Sequence, residues 1–189
     1  MSFNFKQINI DGVYIIHPHK FEDERGLYEK HFELNTFREN GIEFNVTESS
    51  DLYSKKGSVR GLHYQLGKSQ AKLVRVIKGK VFDVIVDLRQ NSLTFGETFT
   101  IILDEYTNTS VYIPKGFAHG FLALEDCVFS YHCDGRYEPS KCGGIRFDDQ
   151  LLSIDWPLEE IGGEENLIIS EKDMNLPSFE ETKNLFSNN

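Results

Sequence analysis

A run of short alternating segments between residues 45 and 133 constrains the fold of this chain more than any other feature. Residues 80–89, KVFDVIVDLR, alternate, with Phe82, Val84, Val86 and Leu88 on one face and Val81, Asp83, Ile85 and Asp87 on the other. Residues 97–103 alternate in the same way. Because successive side chains of a β-strand point to opposite faces, both segments predict strands. Turn signals recur at Gly67, Gly79, Asn91, Asn108, residues 114–116 and Gly135. Short strands at this spacing predict an all-β fold, an antiparallel sandwich or barrel.

The flanking segments add strands and a few short helices. Residues 1–19 are predicted as strands, residues 21–26 (FEDERG) as a polar turn, and residues 33–40 (ELNTFREN) as one helix that ends at Gly41. Residues 139–189 mix loops with short helical turns, because Pro157 and Pro177 interrupt any long helix. A chain of 189 residues is expected to form one domain, residues 1–189, with a barrel core at about 45–135 and the flanks packed on it.

Charge and hydropathy exclude several kinds of partner. The formal charge of −10 and the pI near 5.1 argue against nucleic acid, which needs a broad basic surface. No apolar run approaches the ~18 residues of a membrane span, and the N-terminal residues lack the pattern of a signal peptide. We therefore expect a cytoplasmic protein that binds neither nucleic acid nor membrane. Cys127, Cys133 and Cys142 form no CxxC pair. Cys127 and Cys133 flank a strand-like run, so buried thiols are expected there.

Residues 60–80, RGLHYQLGKSQAKLVRVIKGK, form a basic island in this acidic chain. The island holds no Asp or Glu, and the rest of the chain sums to −16. Its six basic residues are Arg60, Lys68, Lys72, Arg75, Lys78 and Lys80. Such an island indicates a local anionic ligand, because the overall field would repel one. His63 lies inside it. The pattern predicts a strand pair that holds a phosphate-bearing small molecule beside a histidine, with a solvated strand face as the alternative.

Two histidines are candidates for chemistry. His63 shares one predicted strand face with Gly61, whose missing side chain would leave room for a ligand. His119 follows a Pro-Lys-Gly turn and lies between Ala118 and Gly120, where backbone could approach a ligand closely. Either histidine alone also fits a structural role.

Strand alternation places a tyrosine and a lysine as well. Tyr131 alternates with the apolar residues of CVFSYHC and is predicted to point into the barrel, with His132 on the opposite face. A core tyrosine is the alternative. Lys72 shares the face of Val74, and a lysine on an apolar face needs an anionic partner to offset its desolvation. Asp173 by itself is typical of an exposed loop acid.

Neither a metal nor an organic cofactor is expected. Barrels of this kind often bind metal through a His-x-His pair, a Glu and a later His, but Gln65 takes the second position here and Lys72 would repel a cation. His63 and His119 alone fall short of three ligands. The chain also lacks the glycine-rich fingerprint of nicotinamide binding.

Several strings together resemble one family, the dTDP-4-dehydrorhamnose 3,5-epimerases, over about residues 5–178. They are FEDERG (21–26), VRGLHYQ (59–65), QAKLVRVIKG (70–79), VIVDLRQNSLTFG (84–96), IPKGFAHGFLAL (113–124), RFDDQLLSIDWP (146–157) and ISEKD (169–173), in the family's order. The resemblance implies a cupin-type jelly-roll barrel with a few short peripheral helices and a homodimer. It also implies an isomerase that epimerises C3 and/or C5 of a nucleotide-linked 4-keto-6-deoxy hexose without a cofactor, in the synthesis of deoxysugars for cell-surface polysaccharides.

The resemblance further implies residue roles. His63 matches the catalytic base, Asp173 its paired acid, Tyr131 the general acid and Lys72 the lysine near the keto group. Substrate-binding positions are Arg25, Lys30, Glu48, Ser50, Arg60, His119, Tyr137 and Lys172. Arg60 and His119 would hold the diphosphate. A hydrogen beside a ketone is acidic because the anion delocalises as an enolate, and an imidazole with a reference pKa near 6.5 suits its removal.

Three positions depart from the family pattern. The family usually has Gln-x-Asn where this chain has Glu48-Ser49-Ser50, and Glu where it has Lys30. An ionised Glu only accepts hydrogen bonds, whereas Gln also donates, so Glu48 suits a donor such as a sugar hydroxyl or the exocyclic amine of cytosine. One alternative is therefore a variant epimerase or isomerase for a CDP- or other NDP-4-keto sugar. Another is a structural Lys30–Glu48 pair with the usual nucleotide, and a third is a non-catalytic sugar-nucleotide-binding cupin.

Overall fold

Strands dominate the chain in this computed structural model, which describes residues 3–67 and 70–186. The strands are β1 (Asn4–Gln7), β2 (Tyr14–His17), β3 (His19–Asp23), β4 (Gly26–Lys30), β5 (Val46–Ser54), β6 (Ser58–Gln65), β7 (Ala71–Lys78), β8 (Lys80–Asp87), β9 (Thr98–Asp104), β10 (Ser110–Ile113), β11 (Phe117–Ala123), β12 (Cys127–Asp134), β13 (Cys142–Gly144) and β14 (Ile168–Ile169). The helices are α1 (Leu34–Glu39), α2 (Leu158–Ile161), α3 (Glu171–Met174) and α4 (Phe179–Thr182), with 3-10 turns at Pro139–Lys141, Glu164–Asn166 and Lys183–Phe186. Within these residues no helix has the length and apolar character to cross a membrane.

Two sheets make up the barrel. The first has the order β1-β2-β10-β7-β12-β5 and the second the order β13-β6-β11-β8-β9, with β14 pairing in parallel to β6. The chain alternates between them: β5, β7, β10 and β12 belong to the first sheet, and β6, β8, β9 and β11 to the second. Such crossing between two antiparallel sheets is typical of a jelly roll. The predicted all-β, cupin-type jelly-roll barrel is confirmed.

The core between the sheets follows the alternation of the sequence. Ile85 of β8 points into this core, whereas Val84 and Val86 pack on the outer side of the same sheet. Phe121 of β11 and Phe129 of β12 stack across the core with ring centroids 4.6 Å apart. Full burial of a Phe side chain contributes roughly 1.5–3 kcal/mol. This stack therefore holds the two sheets together beside the candidate site.

The outer faces of the barrel are covered by the flanking segments. Helix α1, within the predicted range 33–40, packs Phe37 against the outer side of the first sheet together with Phe44 and Leu73. The helix stops before Gly41, whose φ of +78° favours glycine, as predicted. On the second sheet, Phe179 of α4 covers the outer cluster. Residues 1 and 2 of the predicted N-terminal strand region lie outside the described residues.

The predicted polar turn at residues 21–26 is wrong in extent. Strand β3 continues to Asp23 and β4 begins at Gly26, so the two strands form a hairpin whose turn contains only Glu24 and Arg25. The hairpin is a separate two-stranded sheet. The polar composition of this segment is typical of a loop, but a hairpin that is exposed on both faces need not alternate apolar and polar residues.

The hairpin β3–β4 also exposes apolar surface. Phe21, Leu27 and Tyr28 each leave about half of their area accessible. Single exposed apolar residues are common, but three on one small hairpin form a patch of the kind that marks an interaction surface.

Candidate active site

One cavity collects most of the predicted site residues. It has a volume of about 440 Å³ and lies between β5, β7 and β12 of the first sheet and β6 and β13 of the second. The predicted residues in its wall are His63, Lys72, Tyr131, Glu48, Ser50, Tyr137 and Lys172. Residues far apart in sequence therefore meet in one site, because the two sheets place β6 and β12 on opposite walls. Lys68, another basic residue of the island at residues 60–80, lies outside the described residues.

His63 and Asp173 form the predicted pair. Nε2 of His63 lies 2.7 Å from Oδ1 of Asp173, and Oδ2 of Asp173 accepts a long 3.5 Å contact from the backbone N–H of Gly61. Helix α3 presents this carboxylate, since the Ser170 hydroxyl caps the helix by accepting from the N–H of Asp173. Asp173 is buried and not an exposed loop acid. A buried carboxylate behind a histidine fixes the ring and stabilises its protonated form.

Burial sets the basicity of His63. Removal from water lowers the pKa of His63, and the nearby Lys72 and Lys172 act in the same direction, while the bond to Asp173 opposes them. The net direction is downward from 6.5. The imidazole is therefore neutral and able to accept a proton near pH 7.

Lys72 stands in the same cavity on the inward face of β7, as its alternation predicts. Burial lowers its pKa, and Cys133, Asp83 and Cys142 partly oppose that effect. Its ammonium makes no hydrogen bond or ion pair with the residues that the structure describes. A desolvated ammonium of this kind is prepared to meet a negative charge on a ligand.

Tyr131 points into the barrel from β12, as predicted. Its ring contacts Phe129 edge-on with centroids 4.9 Å apart, and Tyr131 lines the cavity from the first sheet, whereas His63 lines it from the second. Burial, followed by the charge of Asp83, raises the pKa of Tyr131 well above 10. The phenol therefore stays protonated at neutral pH and can act as a proton donor.

His119, expected to hold the diphosphate, does not lie in the cavity wall. It is 3% exposed, does not line the cavity, and its Nε2 lies 2.8 Å from Oδ1 of Asp83. The ring packs against Phe129 and Tyr131. With one nitrogen bonded inside the barrel, this geometry does not favour a contact with a diphosphate.

The space beside Gly61 is filled by protein and not available to a ligand. A Cβ on Gly61 would lie 2.6 Å from Cα of Gly120 and 2.7 Å from the carbonyl oxygen of His119. A Cβ on Gly120 would lie 2.5 Å from the carbonyl oxygen of Arg60. The two glycines therefore let β6 and β11 approach each other, and the expectation of a ligand contact at this point is wrong.

The rim of the cavity carries the positions that depart from the family pattern. Glu48 and Ser50 face it from β5, an edge strand that pairs only with β12. Lys30 lies 3.9 Å from Glu33 and not beside Glu48, so the suggested Lys30–Glu48 pair is not formed within the described chain. Tyr137 and Lys172 complete the rim.

Two predicted arginines lie away from this wall. Arg60 of β6 donates from Nε to the Ser54 hydroxyl and from Nη2 to the carbonyl of Tyr53, so it joins β6 to β5. Arg25 is exposed at the hairpin turn and pairs with Asp23 at 2.6 Å. Neither is among the residues that form the cavity wall.

The sequence analysis missed two side chains at the site. Cys142 is half-buried in the cavity wall, with Sγ 3.4 Å from the carbonyl oxygen of Glu138, while Cys127 and Cys133 are buried as expected. Alternation puts Asp83 on the face of Val81 and Ile85, which the structure shows to be the inward face, but predicts no role for it. Its signal was an acid among inward apolar residues. In residues 3–67 and 70–186, no group of three His, Cys, Asp or Glu side chains could hold a metal ion.

Comparison with known proteins agrees with this architecture. The profile of the dTDP-4-dehydrorhamnose 3,5-epimerase family matches residues 7–181. A dTDP-4-dehydrorhamnose 3,5-epimerase of Methanothermobacter thermautotrophicus is 46% identical over 175 residues, covering 92% of this chain and 93% of the relative.

Two solved structures show the same fold. An epimerase of Legionella pneumophila in complex with dTDP-4-keto-L-rhamnose has a TM-score of 0.88 and 38% identity, covering 95% of this chain and 94% of that one. A 3′-monoepimerase of Streptomyces bikiniensis in complex with dTDP-quinovose has a TM-score of 0.85 and 31% identity, covering 94% and 89%.

A jelly-roll barrel whose cavity is lined by a carboxylate-backed histidine from one sheet and a partly buried tyrosine from the other is that of a cupin-type enzyme. The chain belongs to the dTDP-4-dehydrorhamnose 3,5-epimerase family, and is thus an enzyme of the isomerase class.

Proposed function

We propose that this enzyme epimerises C3 and/or C5 of a dTDP-linked 4-keto-6-deoxy hexose without a cofactor, in deoxysugar synthesis in the cytoplasm. The observation that carries the proposal is that His63, backed by Asp173, and Tyr131 line one cavity from opposite sheets. Epimerisation needs a base on one side of a carbon and an acid on the other. The two side chains have the access and the proton states that these roles require.

The first step is proton removal. The neutral imidazole of His63 takes the hydrogen from a carbon next to the C4 ketone, and the electron pair of the C–H bond moves to form an enolate. Asp173 stabilises the resulting imidazolium and holds the ring in place. A positioned general base contributes typically 10²–10⁴-fold, roughly 3–5 kcal/mol of the barrel's catalytic effect.

The enolate oxygen needs a positive partner. Lys72 lines the same cavity and has no ion-pair partner within the described chain, so its ammonium is available to the C4 oxygen. In a desolvated cavity such an interaction strengthens as charge develops on the oxygen.

The second step returns a proton from the opposite face. Tyr131 is protonated, and its strand lies on the wall facing β6. Donation from this side inverts the carbon, whereas return from His63 would restore the original configuration. The His63 imidazolium then releases its proton to water and the tyrosinate takes one from water, which restores both side chains for the next turnover.

Substrate binding is assigned by the placement of charges. Arg60 is our candidate for the diphosphate, because its guanidinium lies at the β5–β6 junction and retains free donors. Lys172, Tyr137, Glu48 and Ser50 at the rim are candidates for the sugar and the base.

A homodimer would complete the site. We infer that a second copy covers the apolar residues Phe21, Leu27 and Tyr28 of the hairpin and that Arg25 and Lys30 of one protomer then reach the partner's cavity. Arg25 supports this proposal because it lies at the hairpin turn, away from the cavity of its own chain.

Solvent exchange tests the reaction directly. The enzyme is incubated with dTDP-4-keto-6-deoxyglucose in D₂O, and NMR follows the protons at C3 and C5. We expect deuterium at one or both carbons, together with inverted coupling patterns. A non-catalytic binding barrel would exchange nothing. Deuterium at C3 alone would indicate a mono-epimerase, an activity that the Streptomyces relative with the same fold carries.

A different nucleotide is the second candidate, favoured by Glu48 at the rim. A carboxylate there can accept a hydrogen bond from the exocyclic amine of cytosine, which thymine lacks. Lys30 lies near Glu33 and does not pair with Glu48 in the described chain. Steady-state kinetics with matched dTDP and CDP substrates distinguish the two. A kcat/KM for the dTDP sugar of ~10⁴ M⁻¹s⁻¹ or more and well above the CDP value would exclude the CDP candidate.

A further inference from the structure

A second histidine–carboxylate pair lies inside the barrel beside the first. Nε2 of His119 is 2.8 Å from Oδ1 of Asp83, close to the 2.7 Å between His63 and Asp173. His119 and His63 are directly paired positions of β11 and β6. The two pairs are therefore neighbours on one sheet, although only the first opens into the cavity.

Access separates the roles of the two pairs. The side chain of His63 is 41% exposed, whereas His119 is 3% exposed and Asp83 is fully buried. An imidazole that no substrate carbon can approach does not serve as a second base. Its ring instead packs edge-on against Tyr131, with centroids 5.8 Å apart.

The free oxygen of Asp83 indicates what the pair does. Oδ2 is buried and makes no hydrogen bond to any described residue. A buried carboxylate with an unsatisfied oxygen costs free energy unless nearby charge compensates for it. The carboxylate acts electrostatically on two residues of the cavity, Lys72 and Tyr131. Both are groups that the proposed mechanism requires in their protonated forms.

We propose that Asp83 is a positioning residue of the reaction. Held by His119, it provides a fixed negative charge that keeps the Lys72 ammonium protonated for the enolate oxygen and the Tyr131 phenol protonated for the returning proton. This inference rests on the proposed function. It assigns to the buried pair a task distinct from proton abstraction and from phosphate binding.

The sign of the effect follows from the neighbours of Lys72. Burial lowers its pKa, while Cys133 of β12, Asp83 of β8 and Cys142 of β13 raise it. Replacing Asp83 with Asn removes one anion, so Lys72 loses its proton at lower pH. Asp83 is not among the charges that act on His63, which are Asp173, Lys72 and Lys172.

The experiment is the pH profile of kcat for Asp83→Asn. The alkaline limb, set by Lys72, should move to lower pH by about one unit, a tenfold change in proton affinity. The acid limb, set by His63, should stay in place. An equal loss at every pH, or no movement of the alkaline limb, would overturn the proposal, because a purely structural defect lowers activity without moving one limb.

Asp87→Asn is the matched control. Asp87 lies on the same strand and face and is also fully buried, but it bonds to Arg89, Ser92 and Thr94. This variant should lose stability and keep both limbs. A shift of the alkaline limb in Asp87→Asn as large as in Asp83→Asn would also overturn the proposal.

A readout independent of catalysis separates this inference from the proposed function. The rate at which acetic anhydride labels Lys72, followed by mass spectrometry against pH, reports the proton affinity of Lys72 without substrate. Its midpoint should fall in Asp83→Asn, even if the D₂O experiment shows no exchange. If circular dichroism shows that Asp83→Asn does not fold, His119→Gln is the second variant to measure. It retains the Asp83 carboxylate, so the midpoint of Lys72 labelling should stay at the wild-type value. A lowered midpoint in His119→Gln would assign the effect to His119 and overturn the role of Asp83.

Discussion

At the scale of single residues, differences in burial divide the work of the site. His63 is open enough to reach a substrate, whereas Asp173 behind it is buried. The neutral imidazole results from desolvation and the two nearby lysines, and Asp173 limits the drop in its pKa. The proposed base, electrophile and acid thus have suitable proton states in one cavity.

Substitution of the base tests this division. His63→Asn removes the proton acceptor, and the turnover number should fall at least ~10²-fold. Asp173→Asn keeps the imidazole and one polar partner, so it should retain more activity than His63→Asn. Steady-state kinetics on both variants provide the comparison. Near wild-type turnover in His63→Asn would contradict the mechanism.

The thiol in the cavity wall gives a second prediction. Methyl methanethiosulfonate should transfer its S-methyl group to Cys142 and fill part of the cavity, with loss of activity that dithiothreitol reverses. Cys142→Ser should resist the reagent. Cys127→Ser is the control, because Cys127 is buried and its pKa is raised to about 11, so this variant should remain as sensitive as wild type. Equal sensitivity of Cys142→Ser and wild type would show that the reagent acts elsewhere.

The direction of these side chains could be predicted from the sequence, whereas their contact partners could not. Alternation placed Tyr131 on an inward face, Lys72 on the apolar face of its strand and Asp83 on the face of Val81 and Ile85, because the period of a strand is fixed. The partners of these residues come from the other sheet or from distant strands, as with His119 and Asp83. Local pattern also could not tell that the space beside Gly61 belongs to another strand.

At the scale of elements, the close contact of β6 and β11 supports the site. Gly61 and Gly120 bring the two backbones together where β6 carries His63 and β11 carries His119. The register is irregular between His119 and Phe121, so this contact coincides with a bulge. Bulges next to active sites redirect side chains. Here the irregular register begins at His119, the residue paired with His63.

Gly120→Ala tests this contact. The added Cβ would meet the carbonyl oxygen of Arg60 at 2.5 Å, which forces the strands apart and should cost about 1–3 kcal/mol of unfolding free energy. Gly41→Ala is the control, since nothing lies within 4 Å and only its φ of +78° opposes a side chain, at about 1 kcal/mol. Urea denaturation compares them. A smaller loss in Gly120→Ala than in Gly41→Ala would contradict the steric argument.

At the scale of the whole molecule, sheet order and the hairpin decide how the site is completed. The all-β class followed from alternation alone, but the jelly-roll order depended on the family resemblance, because strand pairing over long separations leaves no local pattern. The hairpin was missed for the opposite reason, since it has little contact with the core. Its exposed apolar residues, and the fact that Arg25 does not line the cavity of its own chain, both support the proposal of a shared site in a homodimer.

Subunit complementation tests the shared site. Arg25→Ala and His63→Asn should each be inactive as homodimers. In a heterodimer, the subunit with an intact His63 receives Arg25 from its partner, so one of two sites is restored. Random exchange of equal amounts makes half of the dimers mixed, and about a quarter of the wild-type activity should return.

Mixing Arg25→Ala with an Arg25→Ala, His63→Asn double variant is the control and should restore nothing. Sedimentation showing a monomer at micromolar concentration, or no recovery on mixing dimers that exchange, would contradict the shared site.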